Sequence, residues 1–219
     1  MTEAKTEAIL REAGLNDEQI NLAGMAISHG AYQLANQGRV PLQALILKES
    51  EDRPEREIAM LACPVLEDEE TKNMFMETVR YVAHMEQSPT VAILMEAWTT
   101  ADLPEEEVPA LLEQYGSISK IPGAGEAICV MVNSDEGKYQ VSAAIKRDDG
   151  GALAGFGKIT AALDKDGHMV GRLIHSRYSE EDRADPSFAE RIKYMEAYLH
   201  GRLAEVEPNP DSNDNSSIH

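Results

Sequence analysis

The chain has 219 residues, and its 39 Asp and Glu outnumber its 20 Lys and Arg to give a formal charge of -19 at pH 7. That length suits one large domain, and a 42% hydrophobic content allows a sizeable core. A surface this negative repels phosphate backbones and anionic lipid headgroups, so the composition argues against binding of nucleic acid or of a membrane surface.

Cysteine usage and hydropathy indicate the cellular compartment in which the protein is expected. Cys63 and Cys129 each lie inside an apolar stretch, which predicts two buried free thiols and no disulfide framework. The chain opens on charged residues, without the apolar segment of a signal peptide. No apolar run reaches the ~20 residues that span a bilayer. We therefore expect a soluble cytoplasmic protein that does not associate with a membrane.

The N-terminal segment 1–38 is predicted to be helical. Residues 2–13 form a first helix that stops at Gly14, a suitable left-handed cap. Asn16 with Gln19 three residues later predicts the capping pair of a second helix, whose apolar residues follow steps of three and four.

The central part of the chain alternates between the two periodicities. Residues 42–47 and 57–63 are short apolar runs that predict a β-hairpin. Helical spacing returns over 67–85. Residues 90–99 are apolar at both odd and even positions, so both faces of a strand here would be apolar. This pattern predicts a central strand of the sheet. A short helix is expected within 104–115, weakened by a proline in its interior.

Residues 127–178 are predicted to form an antiparallel meander. Two linkers that end in glycine, 134–137 and 164–167, have the residue types of hairpin turns. The four strands of the meander are expected at 127–133, 138–146, 152–163 and 168–178.

The chain is expected to end in a helix and an acidic tail. Asp185 and Pro186 start the helix, and apolar residues then recur on one stripe. Residues 205–219 are rich in Pro, Asn, Ser and Asp, which predicts disorder.

Together these elements predict an α+β fold in a single domain, residues 1–204, with a mainly antiparallel sheet of about six or seven strands. The second, third and last helices are expected to pack against one face of that sheet. Many of the acids fall at the predicted helix N-termini, where they oppose the helix dipole. These acids are Glu3, Asp17, Glu18, Asp68, Glu69, Glu70, Glu105, Glu106, Glu107 and Asp185.

Glu96 is the first candidate for a special role, because it interrupts an otherwise apolar strand next to Trp98. A buried carboxylate there needs a partner or a raised pKa, as catalytic acids have. With Glu126 at the start of a later strand, it could form a two-carboxylate acid and base pair. The simpler alternatives are a solvent-facing position at the strand end and a structural ion pair.

Cations concentrate in the meander and give a second set of candidates. The meander contains Lys138, Lys146, Arg147, Lys158, Arg172 and Arg177. Those of matching parity on adjacent strands could gather into a small positive binding face, for which Lys146, Arg147 and Arg172 are the candidates. The alternative is that they are ordinary solvent-facing residues that protect the sheet edges.

No motif assigns a reaction to the chain. The six histidines are scattered and there is no paired-cysteine or HExxH spacing, so no metal and no cofactor is expected. We therefore expect a non-catalytic protein-binding module with a protein partner; nucleic-acid mimicry is a special case of this class. The alternatives are a small hydrolase or transferase that uses Glu96 and Glu126 near Trp98, and a structural subunit.

Overall fold

A computed structural model describes residues 3–48, 57–63, 68–100, 103–104, 106–164 and 175–206 of the chain. Contacts between Cα atoms divide it into two compact units, Met1–Arg177 and Tyr178–His219. Within the described ranges, no helix is long and apolar enough to cross a membrane.

The larger unit combines four α-helices with six strands in its described part. In chain order they are α1 (Glu3–Glu12), α2 (Asp17–Gln37), β1 (Gln43–Leu47), β2 (Ile58–Ala62), α3 (Glu69–Met85), β3 (Thr90–Thr99), α4 (Val108–Tyr115), β4 (Gly125–Ser134), β5 (Gly137–Arg147) and β6 (Leu153–Leu163). A single 3₁₀ turn, Ile118–Lys120, follows α4.

The strands form one sheet in the order β2-β1-β3-β4-β5-β6, and all neighbours are antiparallel. The predicted α+β class and antiparallel sheet are confirmed. The predicted first hairpin is also present, since β1 pairs with β2. β3 lies inside the sheet between β1 and β4, as expected for a strand apolar at both parities.

Each face of the sheet has its own hydrophobic core. Ala92 and Leu94 of β3 pack in the core under α1 and α2, whereas Val91 and Ile93 pack with α3 on the opposite face. The prediction that the second and third helices share one face is therefore wrong. The physical reason is that β3 is apolar at both parities, so both faces need a helical cover.

Both ends of helix α2 are capped by residues that the sequence places there. Asn16 and Gln19 form the predicted capping box: the Gln19 backbone N–H donates to Asn16 Oδ1 at 2.9 Å, and the Asn16 N–H donates to Gln19 Oε1 at 2.8 Å. Gly38 closes the helix with a φ of 72° and donates its N–H to the Leu34 carbonyl. Gly30 lets the helix approach the sheet, because a Cβ there would lie 3.1 Å from Leu94 Cδ1.

The direction of α2 follows that of β3. At the first end, Thr90 Oγ1 donates to Glu18 Oε1 at 2.6 Å. Just beyond the other end, the Val40 N–H donates to Glu96 Oε2 at 3.1 Å. The helix therefore runs along the sheet from the start of β3 towards Glu96.

Several boundaries differ from the predictions. Of the predicted strand 168–178, residues 168–174 lie outside the described residues, and 175–178 are not strand. The preceding turn, 164–167, is described only at Asp164. Helix α4 is shorter than expected and carries Pro109 in its first turn, where a missing N–H is tolerated.

The smaller unit contains α5 (Glu180–Ala184) and α6 (Phe188–Val206) in its described part. The Tyr178 and Phe188 rings pack edge to face with centroids 5.1 Å apart, and the Arg191 guanidinium lies 4.9 Å from the centroid of the Tyr178 ring. The first two residues of the predicted disordered tail 205–219 belong to α6, while 207–219 lie outside the described residues.

Candidate functional site

Glu96, Glu126 and Arg147 meet on the sheet face that α2 covers. Glu96 lies on β3, Glu126 on β4 and Arg147 at the end of β5. Arg147 Nε donates to Glu126 Oε2 at 2.5 Å, and Arg147 Nη2 donates to Glu96 Oε1 at 3.4 Å. The three side chains are 26–28% exposed. We call these three residues the carboxylate–arginine cluster.

The cluster is built into the surrounding backbone. Glu96 Oε2 accepts from the Val40 N–H, so both oxygens of this carboxylate have donors. Arg147 Nη1 also donates to the Gly151 carbonyl at 3.3 Å. Of the roles considered for Glu96, this geometry matches a structural ion pair. A general acid and base pair instead needs carboxylate oxygens that can exchange a proton with a substrate.

Trp98 lies beside the cluster. It is the cross-strand partner of Glu126 and follows Glu96 by two residues, so alternation places all three on one face. The Trp98 side chain is 46% exposed. A partly exposed indole therefore lies next to the carboxylate–arginine cluster at this end of the sheet.

The predicted cationic candidates do not all come together. Lys146 lies on the opposite face from the cluster, because a Cβ on Gly157 would lie 3.0 Å from Lys146 Cε and 3.3 Å from Ala144 Cβ. Consecutive strand residues point to opposite faces, so Lys146 and Arg147 lie on different faces of the sheet. Arg172 lies outside the described residues.

A second exposed surface, which sequence reasoning missed, follows the outer side of α2. Asn21, Met25, Ser28 and Tyr32 recur at steps of three and four and are all exposed. Met25 is 52% exposed and Tyr32 is 66% exposed. The signal was present in the sequence: residues 19–38 contain no Asp, Glu, Lys or Arg, in a chain that is 27% charged.

An open groove of about 1150 Å³ follows residues 17–28 of α2 and reaches both sides of this helix, since Glu7 of α1 and Ile159 of the edge strand β6 also line it. Its lining includes Met25 and Ser28 of the helix with Leu47 of β1 and Ile58 of β2. Met60 follows Ile58 on the same face of β2 and is 48% exposed. We call the helix stripe and these three strand residues together the α2 surface; its members are Asn21, Met25, Ser28, Tyr32, Leu47, Ile58 and Met60.

The N-terminal end of the groove is acidic. Its lining includes Glu7, Asp17 and Glu18. Arg11 lines it as well, but its Nη1 lies 2.7 Å from Asp17 and its Nη2 lies 2.8 Å from Glu7. Because two carboxylates offset that guanidinium, the described rim of the groove keeps a negative charge.

The remaining titratable groups give no second chemical centre in the described part of the chain. No three His, Cys, Asp or Glu side chains there lie close enough together to hold a metal ion. Cys63 and Cys129 are both buried thiols, as predicted. Burial raises the pKa of the Cys129 thiol, with a smaller opposing effect of the hydrogen bond from Ser142, so this thiol is a poor nucleophile.

Neither models of known protein families, nor curated proteins, nor solved structures match this chain. The fold and the geometry of its two candidate surfaces are therefore the basis for assigning a function.

Proposed function

We propose that this chain is a non-catalytic protein-binding module. The observation that supports this function is the α2 surface, where Met25, Tyr32 and Met60 expose apolar groups beside a helix face without charge. The outer face of a surface helix is ordinarily charged or polar. Exposed apolar groups that adjoin one another on a surface are typical of protein interaction sites.

The hydrolase or transferase alternative has less support. Glu96 and Glu126 share the guanidinium of Arg147, and the second oxygen of Glu96 accepts from a backbone N–H. Charge-assisted hydrogen bonds of this kind fix side chains in place. The cluster therefore suits the closure of the sheet end better than proton transfer to a substrate.

The proposed partner is a basic protein, and the proposed location is the cytoplasm. A formal charge of -19 attracts basic surfaces over distances of about 10 Å, whereas it repels nucleic acid. The two buried cysteine thiols are compatible with a reducing compartment.

The test is affinity capture with a matched pair of tyrosine variants. Tyr32 on α2 and Tyr194 on α6 are 66% and 60% exposed, so Tyr32→Ser and Tyr194→Ser remove similar exposed rings from different helices. The wild-type chain, Tyr32→Ser and Tyr194→Ser are immobilised in parallel and exposed to an extract of the organism that encodes the chain. Each captured protein is then purified, and its Kd for each form is measured by calorimetry.

We expect a basic protein that binds the wild-type chain and Tyr194→Ser alike and binds Tyr32→Ser at least about tenfold more weakly. If no captured protein binds the purified wild-type chain, the proposed function is wrong. If a protein binds all three forms equally, the α2 surface does not carry the function.

A further inference from the structure

The α2 surface combines exposed apolar side chains with a neutral helix. Met25 and Tyr32 are seven residues apart on α2, so they lie on one stripe of the helix. Ser28 lies between them on this stripe, and Asn21 lies one turn before Met25. None of these side chains carries a charge that must be desolvated when another chain covers it. The stripe can therefore be buried at low electrostatic cost.

Two strands of the sheet, β1 and β2, lie to one side of the stripe. α2 packs on β3 and β4, while the sheet continues past it to the edge strand β2. On this flank Leu47 is buried and forms a floor, Ile58 is half-buried and Met60 is 48% exposed. From Asn21 to Tyr32, α2 rises about 16 Å, which is the length of three helical turns. A helix of three to four turns can therefore lie alongside α2 and cover the β1–β2 end of the sheet.

Charge selects the kind of helix that fits. Asp17 and Glu18 lie in the first turn of α2, at one end of the stripe, and the charge of the neighbouring Arg11 is offset by Asp17 and Glu7. An apolar stripe flanked by an acidic end is complementary to a helix with an apolar face and lysine or arginine next to it. The total charge of the chain also favours approach of a basic segment.

We propose that the α2 surface binds a basic amphipathic helix of a partner protein. The apolar face of that helix lies against Met25, Ile58 and Met60, and its cations lie towards Asp17 and Glu18. This inference rests on the proposed binding function and adds the chemical class of the bound segment and the place where it lies.

A second copy of this chain fits the same surface less well. Two molecules at a formal charge of -19 repel each other, and each brings an acidic rim to the contact. A basic helix instead converts that rim from a source of repulsion into a source of attraction.

The test uses a synthetic peptide of about 15 residues made of leucine and lysine at helical spacing, labelled for fluorescence anisotropy. One control peptide has the same composition in an order without an apolar face. A second control peptide carries glutamate in place of lysine. Three exposed methionines supply matched variants of the full chain: Met25→Gln and Met60→Gln in the α2 surface, and Met85→Gln at the end of α3 on the opposite face of the sheet.

We expect the Met25→Gln/Met60→Gln double variant to bind the leucine–lysine peptide at least about tenfold more weakly than the wild-type chain. Met85→Gln should change the Kd by less than about twofold. Asp17→Asn should weaken binding at low salt and reduce its salt dependence. Both control peptides should bind more weakly than the leucine–lysine peptide.

Three results would overturn the inference. Equal binding by the double variant and Met85→Gln would place the peptide elsewhere. Equal binding of the peptide without an apolar face would show that charge alone acts. Dimerisation of the wild-type chain in sedimentation experiments, abolished by Met25→Gln/Met60→Gln, would assign the surface to a second copy.

Failure of this inference is distinguishable from failure of the proposed function. If a captured natural partner binds the purified chain while the leucine–lysine peptide fails these tests, the binding function stands and the bound segment is of another kind. If no natural partner binds the purified chain, the proposed function itself is wrong.

Discussion

The close packing of α2 on the sheet at Gly30 can be tested with two glycines of the same helix. A Cβ on Gly30 would lie 3.1 Å from Leu94 Cδ1 and 3.2 Å from Ile128 Cγ2, whereas a Cβ on Gly24 would meet nothing within 4 Å. Both contacted side chains are fully buried, so neither can move into solvent. Replacement of each glycine by alanine therefore makes the same backbone change in two different environments.

The magnitudes follow from two opposing effects. Alanine is more favourable than glycine inside a helix by about 0.5–1 kcal/mol, so Gly24→Ala should raise the free energy of unfolding by that amount. Gly30→Ala has the same backbone gain, but overpacking of a filled core costs about 1–3 kcal/mol. We expect Gly30→Ala to be about 1–3 kcal/mol less stable than Gly24→Ala.

Urea unfolding followed by circular dichroism at the helix band measures both variants. A double-mutant cycle adds a control, because Ile128→Val removes Cδ1, which lies 3.3 Å from the position of a Cβ on Gly30. This substitution should therefore cost less in the Gly30→Ala background than in the wild-type chain. Equal stability of Gly24→Ala and Gly30→Ala would refute the close packing of α2 on Leu94 and Ile128.

The other predictions concern the α2 cap, the cluster and a buried thiol. Asn16→Ala removes the capping acceptor for the Gln19 N–H and should lower the free energy of unfolding by about 1 kcal/mol, with Asn21→Ala as the exposed mid-helix control. Arg147→Met leaves Glu96 facing Glu126 without their shared cation, so it should destabilise the chain more than Glu96→Gln, which should cost less than about 1 kcal/mol; the reverse order in urea unfolding would contradict a structural role for the cluster. Burial raises the pKa of Cys129 in the folded chain, so its contribution to stability is complete below the unfolded-state pKa and is lost as the pH rises through the folded value. Unfolding midpoints measured from about pH 7 to pH 10 should therefore fall less steeply in Cys129→Ala than in the wild-type chain.

Local features of the fold were predictable because neighbouring residues determine them. Asn16 and Gln19 form their capping box within one helical turn, and Gly38 closes the same helix. The bounds of β3 coincide with the predicted 90–99 because the apolar run ends in polar residues on both sides. Caps, turns and apolar periods of this kind need no knowledge of the rest of the chain.

The layering of the helices was not predictable by the same means. An apolar stripe shows that a helix packs on a sheet, but both faces of β3 are apolar, at Val91 and Ile93 and at Ala92 and Leu94. Which face each helix covers depends on the connections between elements. The predicted arrangement on one face therefore failed while the fold class was correct.

The candidate sites show the same division between local and long-range information. Glu96 and Glu126 were identified as residues that could approach each other, but their shared partner Arg147 depends on the register of β3, β4 and β5. The α2 surface has a local signal. Its uncharged stretch is visible in the sequence, although the exposure of Met25 and Tyr32 follows only from the packed structure.

The most direct test of the α2 surface is methyl NMR of the methionines in the full chain. The chain has 10 methionines, and Met25, Met60 and Met85 are exposed. On titration with the leucine–lysine peptide, the methyl signals of Met25 and Met60 should shift together with one Kd, while Met85 stays unchanged. Shifts of Met85 with Met25 and Met60 unmoved would contradict a binding site on the α2 surface.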